Sequence, residues 1–145
     1  MKKYGFVLLA VLFVAAVAAA QYGAPAKPQE PMQKEPYTAT SFGPWNAEVA
    51  TVHVPMVTFE KTAMGLKVTV QIDNHPMDAQ KPHWIEWIRI EDMTGKKLAE
   101  KKLKPTDPGP PTAVFELKGT YDKLKVLEHC NVHGTWLNEA TVEMK

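Results

Sequence analysis

Cysteine is almost absent from these 145 residues, which contain only Cys130. One cysteine cannot close an internal disulfide, so a disulfide-stapled scaffold is excluded. Charge of either sign is also lacking in excess. The formal net charge is +1, with no basic surplus that would point to nucleic acid. There is no phosphate-binding glycine loop, no internal repeat and no convincing amphipathic helix. A near-neutral domain of this kind is compatible with a small, diffusible partner.

What is present first is a targeting pattern. Lys2 and Lys3 precede an uncharged run over residues 4–20, and Ala18-Ala19-Ala20 offers small residues for a signal peptidase. Residues 1–20 are therefore expected to be a secretory signal, with an uncleaved anchor as the alternative. No cysteine follows the run, which excludes a lipoprotein anchor. An exported, periplasmic protein is expected, with no membrane attachment after cleavage and a net charge of −1 once Lys2 and Lys3 are gone. Residues 21–44 carry Pro25, Pro28, Pro31, Pro36 and Pro44 among polar residues, and read as an extended, solvated linker. The domain is expected to span residues 45–145.

Within it, residues 47–59 read as a strand bent at Pro55, with Ala50, Val52, Val54 and Met56 on one side and His53 on the other. Leu66, Val68, Val70 and Ile72 alternate with Lys67, Thr69 and Gln71, the pattern of a half-buried antiparallel strand. Further strands are predicted over residues 84–90, 96–103, 113–117, 124–128 and 136–142, separated by Pro- and Gly-containing turns. The spacing predicts an all-β fold, an immunoglobulin-like antiparallel β-sandwich of about seven strands, with helix-rich folds second.

A lone thiol in an exported protein needs a reason. Burial as a small hydrophobe is one, and metal ligation is another. Cys130 and His133 stand three apart before Gly134, so both can reach one ion from a tight turn. His53 lies beside the bend, His75 ends a strand and His83 begins the next. Strand ends and turns gather at the rims of a sandwich. Each histidine alone is more often structural. Together, four imidazoles and one thiolate would make a five-coordinate site with a sixth position open. Structural zinc is closed and four-coordinate, whereas imidazole with thiolate suits a redox metal, iron above all. Trp84, Trp87 and Trp136 read as core residues that shield such a site.

The motifs His53-Val54-Pro55, His75-Pro76-Met77, His83-Trp84-Ile85-Glu86-Trp87-Ile88 and Glu128-His129-Cys130-Asn131-Val132-His133-Gly134-Thr135-Trp136 together resemble superoxide reductase of the neelaredoxin and desulfoferrodoxin family. The resemblance covers residues 45–142. It implies one iron per chain, with His53, His75, His83 and His133 equatorial and Cys130 axial. His129 falls where the family commonly has tyrosine and is not a ligand. The implied reaction reduces superoxide to hydrogen peroxide, with a small electron-donor protein returning the iron to the ferrous state. Homo-oligomerisation stays open. No Cys-x-x-Cys pair is present, so the rubredoxin-like domain of desulfoferrodoxin is not expected.

Two departures stand out. Where the family carries Glu then Lys before its first histidine, this chain has Thr51 and Val52. The loop between His75 and His83 is also longer than usual and holds Lys81, which is expected to replace the missing positive charge; a solvated loop lysine is the competing reading. Two other functions compete with the enzyme: an iron-binding electron carrier or sensor, and a plain β-sandwich interaction module.

Overall fold

A computed structural model describes residues 33–143. The expected signal (residues 1–20) and the first part of the expected linker lie outside them.

Among the described residues, seven strands and one short helix follow in chain order: α1 (Ala47–Thr51), β1 (Met56–Thr62), β2 (Gly65–Gln71), β3 (Ile85–Glu91), β4 (Lys97–Lys102), β5 (Thr112–Lys118), β6 (Lys123–Cys130) and β7 (Gly134–Thr141). They form a three-stranded sheet, β1-β2-β5, and a four-stranded sheet, β4-β3-β6-β7. Every strand pairing is antiparallel. The all-β sandwich expected from the alternating pattern is the architecture found.

Alternation explains the layers. Along β2, Leu66, Val68 and Val70 are buried while their neighbours are only half-buried. They meet Ile88 and Ile90 of β3, Phe115 and Leu117 of β5, and Leu124 and Val126 of β6 in one core. Burying such side chains contributes about 1.5–3 kcal/mol each before chain entropy is set against it. Lysines on edge strand β4 discourage pairing with another chain.

The bent strand expected over residues 47–59 is corrected. Its first part is α1, and the strand starts only at Met56. Asn46 decides this locally, because its side-chain oxygen accepts the Val49 N–H at 2.9 Å and caps the helix. Ala47, Glu48 and Ala50 suit a helical turn, and Pro55 separates it from β1. His53 consequently does not point outward from a strand; it is 1% exposed.

Residues 33–44, expected to be an extended solvated linker, bend and turn and are docked on the sandwich over part of their length. Tyr37 N–H donates to the Thr135 carbonyl, and Leu137 N–H donates to the Tyr37 carbonyl. Gln33 exchanges two bonds with the Thr135 backbone, at 2.7 and 2.8 Å. The physical reason is that β7 is an edge strand whose outward groups need partners. Gly134 admits this approach. Its φ is +78°, and a Cβ there would stand 2.6 Å from the Gln33 side-chain oxygen.

Candidate metal centre

Five side chains from four separate segments converge at one rim of the sandwich. His53 follows α1, His75 lies beyond β2, His83 precedes β3, and Cys130 and His133 flank the β6–β7 turn. Their donor atoms all lie within 4.8 Å of one another. The structure brings together the five residues singled out from the sequence.

The four imidazoles form a ring. Centroid separations run 4.7 Å from His53 to His75, 4.7 Å from His75 to His83, 4.8 Å from His83 to His133 and 4.6 Å from His133 back to His53. The diagonal from His53 to His83 is 6.4 Å. Four near-equal sides with a longer diagonal describe a square of rings about one common centre.

Hydrogen bonding fixes which nitrogens face inward. His53 Nδ1 donates to the Val49 carbonyl and His75 Nδ1 to the Pro76 carbonyl, both at 2.7 Å. Each ring is thereby held in the tautomer that leaves Nε2 with its lone pair exposed. Both Nε2 atoms are buried and have no hydrogen-bond partner. Orphaned buried acceptors are costly, and a cation at the centre would satisfy both. His83 Nε2 and His133 Nδ1 face each other at 3.1 Å. Two nitrogens about 2.1 Å from one ion and at right angles would lie about 3.0 Å apart. Cys130 Sγ is 3.5 Å from His133 Nδ1 and accepts the Val132 N–H at 3.4 Å. The donor set fits one iron ion.

Burial prepares the imidazoles. Desolvation lowers the pKa of His53 to about 3 and that of His75 to about 4, against the upward pull of their carbonyl bonds. It lowers His83 and His133 as well. All four are neutral at pH 7, so no proton competes for the lone pairs.

The surroundings include residues to which sequence reasoning gave no role. Asn131 accepts the Trp84 N–H at 2.9 Å and donates to the Pro82 carbonyl at 3.0 Å, so it grips both neighbours of His83. The indole of Trp45 stands edge-on to His133 at 4.7 Å. Trp136, expected from the sequence to shield the site, is fully buried, stacks on His53 at 5.2 Å and donates Nε1–H to the His133 carbonyl. Glu128, opposite Trp136 on the inner face of β6, is 0% exposed and neither carboxyl oxygen has a hydrogen-bond partner. Burial raises its pKa well above the usual carboxylate range. Its place two residues before Cys130 on the same strand face was the one available signal.

Trp87 is corrected. It does not shield the cage but lies on the outer face of the four-stranded sheet, because the β3–β6 register shifts between Ile85 and Trp87. His129 points to the same outer face. Lys81 is exposed in the loop before His83, with its N–H bonded to Asp78 Oδ1 at 3.1 Å.

A β-sandwich whose rim gathers four neutral imidazoles and a cysteine sulfur is a mononuclear metal-binding protein of the iron type. Comparison with known proteins specifies the group. The family described as desulfoferrodoxin matches residues 45–139, and the chain belongs to that family. It is 46% identical over 90 residues to the desulfoferrodoxin of Nitratidesulfovibrio vulgaris, covering 61% of this chain and 62% of that protein. The chain thus spans about three fifths of that relative's length. It is 36% identical over 113 residues to the superoxide reductase of Thermococcus kodakarensis, covering 70% of this chain and 93% of the relative. Among solved structures, the neelaredoxin superoxide reductase of Ignicoccus hospitalis superposes with a TM-score of 0.59 at 21% identity, over 76% of this chain and 95% of that one, a likeness of fold.

Proposed function

We propose that this chain is a mononuclear iron superoxide reductase. The observation that carries the proposal is the square of four imidazoles with a thiolate at one nitrogen's side. Five donors from this chain would hold the metal, and the partly exposed His83 and His133 leave an approach for a small oxygen anion. The names of the relatives point the same way.

His53, His75, His83, His133 and Cys130 would hold the iron. When bound, ferrous iron supplies the single electron that superoxide lacks. Superoxide takes up that electron and two protons and leaves as hydrogen peroxide, and an external donor, expected to be a small protein, restores the electron. The chain's residues organise this. The Val49 and Pro76 carbonyls fix the His53 and His75 rings. The Val132 N–H bonds to Cys130 Sγ and tempers its electron donation. His83 and His133, only half-buried, form the cage's accessible edge. Lys81 supplies the positive charge that attracts the anion. Lys2, Lys3 and the apolar run of residues 4–20 support export to the periplasm.

A second reading is an iron-binding electron carrier of the same fold. It is favoured by Thr51 and Val52, which contribute no charge beside the site. The Thr51 hydroxyl is committed to the Ala47 carbonyl at 2.9 Å, and Val52 ends α1. Product analysis separates the two. The reductase yields hydrogen peroxide from superoxide without evolving oxygen, while a carrier leaves superoxide to its spontaneous decay.

A further inference from the structure

The outer face of the four-stranded sheet carries an arrangement that the cage does not use. Trp87 of β3 and His129 of β6 are cross-strand partners. Their rings are nearly parallel, 7° apart, with centroids 5.4 Å from each other. The Arg89 guanidinium lies 4.3 Å over the Trp87 ring. The histidine Nδ1 is hydrogen-bonded with Thr135 Oγ1 at 2.9 Å, and a Glu86 carboxyl oxygen stands 3.5 Å from its Nε2. This stack lines a shallow hollow with Lys34, Glu35 and Glu91, and its rings remain partly exposed.

Strand alternation gives the stack a connection. His129 points outward and the next residue, Cys130, points inward to the cage. The backbone between them is a direct covalent link from the outer face of the sheet to the Cys130 side chain. We propose that the Trp87–His129 stack is the port through which a one-electron donor re-reduces the metal centre by way of Cys130. The proposal rests on the superoxide reductase reading of the cage.

Three physical points support it. Delocalised rings in contact carry electronic coupling better than an aliphatic side chain of equal length. The port lies on the far side of β6 from the imidazole square, so a docked donor leaves the anion's approach unobstructed. Arg89 over the indole disfavours a radical cation there, so Trp87 conducts as a bridge without being oxidised itself. The step moves one electron: the donor loses it, the ferric centre gains it, and no bond or proton is exchanged.

The test uses the full iron-loaded chain in its ferric form, with a ruthenium polypyridyl photoreductant attached to Glu91→Cys. After a flash, loss of the sulfur-to-ferric absorption reports electron arrival. Trp87→Leu is expected to slow arrival by about tenfold or more, with Trp87→Phe within about threefold of the parent. The midpoint potential and the absorption band should stay at parental values in both. His129→Leu, which removes the other ring, tests the route independently if Trp87→Leu does not fold. Unchanged arrival in either leucine variant overturns the proposal, and so does a slowing that tracks a shifted potential or band. Mixing unlabelled ferrous protein with superoxide tests the function separately, because lack of oxidation there would refute the reductase reading and leave the route measurable.

Discussion

Asn46→Ala removes the oxygen that accepts the Val49 N–H at 2.9 Å and caps α1. Loss of such a cap costs about 1 kcal/mol, within a range of about 0.5–2. A helix of five residues has no stability of its own, so the loss falls on the local order of residues 46–53. That order carries a ligand, because His53 Nδ1 bonds to the carbonyl of Val49, the same residue whose N–H is capped. If metal binding must re-form the turn, about 1 kcal/mol becomes about a fivefold weaker affinity, and about 2 kcal/mol becomes about thirtyfold. Losses of this size are usual for groups that orient metal ligands. Chelator competition with ferrous ion would measure the affinity of parent, Asn46→Ala and Asn46→Asp. The aspartate variant, an equally good cap, should return to the parental value. Parental affinity in Asn46→Ala, or an equal loss in Asn46→Asp, would refute the link from cap to ligand.

Cys130→Ser should abolish the sulfur-to-ferric absorption of the oxidised protein while the four imidazoles still bind metal; a surviving band would show that sulfur is not a ligand. Lys81→Ala should lower the second-order rate with superoxide several-fold, up to about tenfold, and less so at high salt, whereas an unchanged rate sinks its steering role. Glu128→Gln should stabilise the metal-free protein in a pH-dependent way. Burial raises the folded-state pKa, so the stability associated with the protonated carboxyl is present below its ordinary pKa and is lost as pH rises through the folded value. Between those limits the loss is about 1.4 kcal/mol per pH unit. Thermal melts should show the variant's advantage growing from pH 4 to pH 7; a constant difference would contradict the burial argument.

Much of the fold was legible because it depends on period-two alternation. Leu66, Val68 and Val70 announce a one-sided strand, and the structure buries all three. Strand ends and turns suggested that a thiol and several histidines share one rim, and the resemblance of their motifs to the superoxide reductase family implied which five they are. Residues 47–54 misled because Ala50, Val52 and Val54 alternate like a strand, while a single side-chain bond from Asn46 favours the helix. The docking of Gln33 and Tyr37 depends on an edge strand about a hundred residues away, which no local pattern encodes. Trp87 changed face through a register shift, again a property of pairing. Glu128 reads as an ordinary polar residue, and only its place on the inner face of β6 makes it buried.

The most direct test loads the full chain with ferrous iron and mixes it with superoxide in a stopped-flow spectrometer. One ferric centre with a sulfur-to-metal band should form, and one hydrogen peroxide appear, for each superoxide consumed, with no oxygen released. Superoxide that decays at its spontaneous rate while the iron stays ferrous would contradict the assignment.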